Sequence, residues 1–191
     1  MVTFYSFNHR FKRSMLEITP SIFFDLDWNQ VDPLQKVKYL ADVPFKIAAG
    51  KKKYDIIRVY ENIGVFYSQK VIDVLAEFVD MSDKCYPIEI ESVEEKYYVI
   101  YNLPSCSLLN GNVNVFIDEP CFFDFPSQES IPIFGIENTL FVIISEDVKN
   151  ALLKHKVSNI ELIECFGCTL DEYEGIKRMK FQPEVHVFRD K

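Results

Sequence analysis

Hydrophobic and polar positions follow a regular pattern most clearly in two stretches of this chain, and both read as strand, serine, helix, strand. In the first, residues 54–59 and 64–67 are rich in β-branched and aromatic side chains and predict strands. Ser68 follows as a helix cap, its hydroxyl placed to accept from a first-turn amide. Val71, Ile72, Leu75, Phe78 and Val79 then recur at helical spacing, with Gln69, Lys70, Asp73 and Glu77 on the other face, so the helix is expected to end near 80–83. Tyr86, Ile88 and Ile90 alternate with Glu89 and Glu91, and the run 97–101 reads as the returning strand, which makes 85–103 a hairpin with acid on its outer face. In the second stretch, residues 140–144 form a compact apolar strand. Ser145 caps a helix opened by Glu146 and Asp147, Val148, Ala151, Leu152 and Val157 face the core, and Lys149, Lys154, His155 and Lys156 lie outward or at the C-terminal end. Ile160, Leu162 and Ile163 continue as a strand.

Ser68, Val71 and Leu75 of the first unit match Ser145, Val148 and Leu152 of the second, which points to a repeated supersecondary unit. The remaining segments are less periodic. Residues 1–30 hold Phe4, Tyr5, Phe7, Phe11, Phe23, Phe24 and Trp28 and predict one or two strands joined by loops. Residues 32–53 read as polar, and Lys51, Lys52 and Lys53 after Gly50 read as a solvated turn rather than a phosphate loop, since the second glycine and the Ser/Thr are missing. Residues 113–117 and 131–134 are strand-like, and 118–130 read as an exposed aromatic and acidic loop. Val185, Val187 and Phe188 predict a last edge strand. The expected fold is α+β, a mostly antiparallel sheet with two or more packed helices, in one domain over 1–191 with an N-terminal subregion 1–55, a core 56–168 and a tail 169–191.

Composition sharpens the picture in two places. With 17 Phe and 10 Tyr, aromatic material suffices for a core and a contact surface. A net charge of −8 disfavours nucleic acid and anionic membranes and suits a cationic partner. Five cysteines at irregular spacing argue against a disulfide framework and for a reducing, cytoplasmic setting. Charges interrupt every apolar run before the roughly 18 residues of a membrane span, and Arg10, Lys12 and Arg13 are not followed by a signal-peptide core.

The phrase from Phe141 through Ser145, Glu146 and Val148 to Leu152, followed by Asn159-Ile160-Glu161-Leu162, resembles the C-terminal signature of a bacterial polymorphic-toxin immunity protein family. The Ser68 unit and the strand 97–103 resemble that family's central part, so the likeness covers roughly 60–165. The resemblance implies a protein that binds and neutralises a cognate toxin.

The residues themselves offer little chemistry. His9, His155 and His186 are scattered, and no HExxH, GxSxG or GxGxxG occurs. Asp25 with Asp27, or Glu94 with Glu95, are carboxylate pairs of the kind acidic loops commonly carry. Cys165-Phe166-Gly167-Cys168 is half a zinc site or a redox pair in form, with Cys85, Cys106, Cys121 and His186 as remote co-ligands, but two structural cysteines are the better reading. The expectation is a non-catalytic binding protein without cofactor or metal. Its partner surface is expected at Glu89, Glu91, Glu94 and Glu95 on the hairpin and at Asp118, Glu119, Phe123 and Asp124 on the loop. The alternatives are a metal- or redox-active protein using the cysteine pair, and a non-catalytic subunit of a larger assembly.

Overall fold

The computed structural model describes residues 1–22, 39–59, 64–110, 121–125, 131–137, 139–176 and 185–186. In chain order the named elements begin with β1 (Val2–His9), β2 (Glu17–Pro20), β3 (Phe45–Ala49), β4 (Ile56–Val59), β5 (Val65–Ser68), α1 (Gln69–Leu75), β6 (Cys85–Ile88) and β7 (Tyr97–Ile100). They continue with β8 (Ser105–Cys106), β9 (Cys121–Asp124), β10 (Ile133–Ile136), β11 (Val142–Ile144), α2 (Glu146–Lys154), β12 (Ile160–Cys168), α3 (Leu170–Ile176) and β13 (Val185–His186). The fold is α+β and mostly sheet, with a six-stranded sheet in the order β3-β2-β4-β5-β7-β6 and a seven-stranded one.

Each sheet closes on itself. In the first, Phe45 of β3 bridges Ile90 just past β6: the Phe45 amide donates to the Glu89 carbonyl at 2.9 Å, and the Glu91 amide donates to the Phe45 carbonyl at 2.8 Å. In the second, β9 runs parallel to β12 and its Phe123 bridges Leu108 just past β8, which joins the two ends of the path β12-β1-β11-β10-β8. β13 adds to β12 antiparallel, as the expected edge strand.

The two closed sheets share one topology. β2 is parallel to β4 as β8 is to β10; β4 and β5 form an antiparallel hairpin as β10 and β11 do; β5 and β6 flank β7 as β11 and β12 flank β1. Register matches too. Ile56 pairs with Tyr67 and Ile133 with Ile144, Arg58 with Val65 and Gly135 with Val142, each later residue lying 77 positions after its counterpart (56 to 133, 67 to 144). The Ser68 amide donates to the Asp55 carbonyl and the Ser145 amide to the Pro132 carbonyl, again 77 apart (68 to 145, 55 to 132). The repeat read from the two serine units therefore extends to whole barrels, with one difference: the strand that follows β6 in the first barrel is replaced in the second by β1, from the start of the chain.

Strand alternation divides the core into layers. Inward residues fill each barrel separately: Phe45, Ile57, Phe66 and Val99 in the first, Phe4, Phe123, Phe134 and Ile143 in the second. An edge-to-face aromatic pair sits in each, Phe45 with Phe66 at 5.2 Å and 82° in the first and Phe123 with Phe134 at 5.3 Å and 79° in the second. Outward residues of both barrels, including Ile56, Tyr67, Tyr5, Phe7 and Ile144, meet in a third cluster with Val71, Leu75, Val148 and Leu152 of α1 and α2. Those four helix residues are buried, and each stabilises the fold by about 1.5–3 kcal/mol relative to exposure.

Several local expectations are corrected. α1 ends at Leu75 and gives way to turns, so Phe78 and Val79 pack on the core only partly. Ser68 occupies the N-cap with extended backbone, but its hydroxyl donates to Asp55 Oδ1 at 2.9 Å instead of accepting from the helix. Ser145 caps as expected, accepting from the Val148 amide. Lys149 is not outward: its ammonium lies 4.1 Å from the Tyr5 ring centroid and donates to the Tyr5 hydroxyl. β3 lies within the stretch read as polar, and β9 within the stretch read as an exposed loop, with Phe122, Phe123 and Phe125 buried. The strand expected at 113–117 lies outside the described residues. Among the described residues no helix is long and apolar enough to cross a membrane.

Gly50 follows β3 at φ +67°, and a Cβ there would stand 1.7 Å from the Met15 carbonyl oxygen. Gly50→Ala is expected to cost about 3 kcal/mol or more from clash and left-handed backbone together. Gly175→Ala, with open space around its Cβ in α3, is expected to leave stability unchanged or slightly raised. Thermal or urea unfolding of the two variants checks the contrast.

Candidate functional site

The acidic segment after β6 is built by the closure of the first barrel. Ile88 and Ile90 point into the core, so Glu89 and Glu91 point out by the two-residue period of the strand. The paired backbone hydrogen bonds to Phe45 hold both glutamates on a ladder rather than on a free loop. Glu94 and Glu95 follow in the connection to β7 and are also exposed. Glu91 accepts from the Ser21 hydroxyl at 2.7 Å, and Glu95 pairs with Lys53 at 2.5 Å. The hydrogen bond from Lys53 holds the Glu95 carboxyl below its usual range. The four hairpin glutamates are thus brought together on one end of the first barrel.

The loop half of the expected surface fares differently. Asp118 and Glu119 lie outside the described residues, as do Asp25 and Asp27. Phe123 is 0% exposed in the core of the second barrel, so it offers no side chain to a partner; it serves the strand closure that the pattern had hidden. Asp124 is exposed at the end of β9, on the second barrel and away from the hairpin glutamates in the sheet order.

The cysteine pair lies inside β12 rather than at a helix start. Cys165 sits with Cys121 in the second barrel's core, and Cys168 packs with Phe122 and Phe166 in a separate cluster. An odd separation along an extended strand puts the two thiols on opposite faces, about 10 Å apart along the chain. A disulfide needs the Cα atoms within about 7 Å. Burial pushes the Cys165 and Cys168 thiols up, disfavouring the thiolate that metal binding or exchange chemistry uses. Among the described residues no group of three His, Cys, Asp or Glu could hold a metal ion. Native-state oxidation followed by non-reducing peptide mapping is expected to yield no Cys165–Cys168 link.

Two polar centres escaped the sequence pattern. Asp55 accepts from the Ser158 amide at 2.7 Å, the Ser158 hydroxyl at 2.8 Å and the Ser68 hydroxyl at 2.9 Å, with Lys70 at 3.2 Å. Burial would raise its pKa, but these donors outweigh that and hold the carboxyl below its ordinary range. The second centre is His9, beside the Arg58–Glu17 ion pair. Burial and the Arg58 charge push its pKa from 6.5 down to about 4, and Glu17 offsets this only in part. His9 is therefore neutral in the fold. Because the folded pKa is depressed, its contribution is full above pH 6.5 and is lost as pH falls from 6.5 toward about 4. The loss amounts to up to roughly 3 kcal/mol. Urea unfolding across that window is expected to show a slope that His9→Gln flattens.

No protein-family model matches the chain, and no curated protein matches it significantly.

Proposed function

We propose that this chain is a protein-binding immunity-type protein that neutralises a cognate toxin by covering a cationic surface of it with the acidic end of the first barrel. The observation that supports the reading is the preorganisation of that end: Glu89 and Glu91 are fixed by the two backbone bonds to Phe45, with Glu94 and Glu95 beside them. A surface already rigid loses little conformational freedom on binding. Four exposed carboxylates steer a cationic partner and raise the association rate. The resemblance of residues 60–165 to the toxin-immunity family supplies the partner class, and the barrel core that fixes the glutamates supplies a scaffold for it.

The test captures partners from lysate of the source with the tagged protein and with a variant carrying Glu89→Lys, Glu91→Lys, Glu94→Lys and Glu95→Lys. Retention of a single toxin-type protein by the native chain, inhibition of its toxicity in co-expression, and association at least about tenfold slower for the variant is the expected result. Equal association by both proteins removes the hairpin from the interface. A captured partner without toxicity removes the immunity reading.

A further inference from the structure

The ladder that closes the first barrel is a single residue pair long, and it leaves most of β3 without a neighbour on that side. Phe45 meets Ile90 in parallel, its amide donating to the Glu89 carbonyl and its carbonyl accepting from the Glu91 amide. One step further, a parallel ladder would join the Ile47 amide to the Glu91 carbonyl and the Val93 amide to the Ile47 carbonyl. The chain does not take that step. The Val93 amide turns back to the Ile90 carbonyl at 3.1 Å, with Ser92 in the turn at φ +63°. Phe45 and Ile47, two apart on one strand, present their backbone groups to the same side, away from β2. Among the described residues no backbone group meets the Ile47 amide or carbonyl there. The edge is also open to solvent: Lys46, Ile47, Ala48 and Ala49 are all exposed, Ile47 at 45%.

This open edge belongs to the acidic end. Glu91 stands where the ladder breaks off, with Glu89 before it and Glu94 and Glu95 after the turn. The segments 45–53 and 90–95 touch at two places, Phe45 with Ile90 and Lys53 with Glu95. Between those contacts the apolar side chains of Ile47, Ala48 and Ala49 lie on one segment, and Glu91 and Glu94 on the other. Among the described residues Glu95 alone of the four glutamates is ion-paired, and Glu91 accepts from the Ser21 hydroxyl.

We propose that β3 accepts an extended basic segment of the partner protein as an added strand, bonded to the Ile47 backbone and flanked by Glu89, Glu91 and Glu94. This rests on the reading of the acidic end as the partner surface and names the form in which the partner meets it. Exposed, unpaired N–H and C=O groups on a strand edge are a template for another strand, whose main-chain bonds give affinity and whose side chains give selectivity. The carboxylates set the sign of those side chains. A strand with Lys or Arg at alternate positions places cations beside them. A second copy of this chain, at −8, would bring its own glutamates against them instead. Lys46 and the register shift between Glu17 and Ile18 are features that keep edge strands from indiscriminate pairing. Backbone alone is therefore not enough for a partner, and the charge on the glutamates supplies the remainder.

The probe is a fluorescein-labelled peptide of about eight residues, alternating valine and lysine, titrated with the full chain in an anisotropy assay. Beside it runs the same peptide N-methylated at every backbone amide, which keeps the charge and removes every donor. Saturable binding of the first peptide is expected, at least about tenfold weaker for the methylated one, as the loss of two main-chain bonds implies. Ile47→Pro removes the outward amide without touching the ladder to β2 and is expected to weaken binding by a similar factor. An unchanged unfolding midpoint confirms that this variant is folded. Hydrogen exchange of the Ile47 amide, fast in the free native chain, is expected to slow when the peptide binds, and needs no variant. No saturable binding overturns the proposal, and the toxin capture described above then decides the acidic end by itself. Equal binding of both peptides, abolished by the fourfold Glu→Lys variant, overturns strand addition and leaves the acidic end as the partner surface. Undiminished binding of the first peptide by that fourfold variant removes the carboxylates from the site and overturns the proposal as well. Self-association of the native chain in sedimentation, lost in Ile47→Pro, overturns it in favour of a second copy.

Discussion

The apolar layer between the two barrels is the constraint on which the other features depend. Each sheet is closed, so each has an inner face that fills its own barrel, and each presents an outer face that water would otherwise meet. Tyr67 and Ile56 on one side and Tyr5, Phe7 and Ile144 on the other must therefore be covered, and α1 and α2 do so from the middle with Val71, Leu75, Val148 and Leu152. A helix of seven or nine residues is not stable by itself in water. The helices exist because the sheets need them, and the sheets keep apolar outer faces because the helices are there. The same arrangement places Lys149 over the Tyr5 ring, since α2 packs against the outer face of β1.

β3 connects this architecture to the acidic end and to the lysines that follow Gly50. At its start, the Phe45 backbone closes the first barrel and fixes Glu89 and Glu91. At its end, Gly50 turns the chain so that the three lysines meet the loop before β2. The Lys53–Glu95 pair marks the boundary where positive and negative surfaces touch. Such an exposed pair adds little stability. Its interest lies in showing how sharply the sign of the surface changes over one short strand.

The strands and helices that carry long apolar runs were legible. The serine units at 68 and 145, the hairpin 85–103 and the edge strand near 185 follow from period and β-propensity, and the matched Ser, Val and Leu positions did signal a repeat. Two of the strands that escape the pattern, β3 and β9, occupy equivalent places in the two barrels. Each is short, anchored by one fully buried phenylalanine, Phe45 or Phe123, and exposed at other positions or flanked by acid, so no alternation develops over enough residues to be seen. Closure of a barrel is a long-range event, and a local pattern does not report it. The hairpin glutamates were found because their outward alternation is local. The contact between the loop 10–14 and the lysines after β3 was not, because these segments lie some 40 residues apart and are brought together by Gly50 and the Ser14 carbonyl. The Cys165/Cys168 spacing has the form of a zinc or redox pair, but β12 runs on past Ile163 through Cys168, and that extended backbone sends the two thiols to opposite faces, in keeping with structural cysteines.

The placement of β1 has a consequence for the order in which the molecule can assemble. β1 leaves the ribosome before every other named strand, yet its partners are β11 and β12, with Tyr5 opposite Ile144 and Val2 opposite Gly167. The first barrel has all its strands once residue 100 has been made, whereas the second must wait for the chain's last third while its central strand, carrying Phe4, Tyr5 and Phe7, has no ladder to join. Sequence-distant pairing of this kind slows folding and leaves an apolar strand open to wrong partners during synthesis. The first barrel, finished early, presents the apolar outer face and helix against which that waiting strand finally comes to rest.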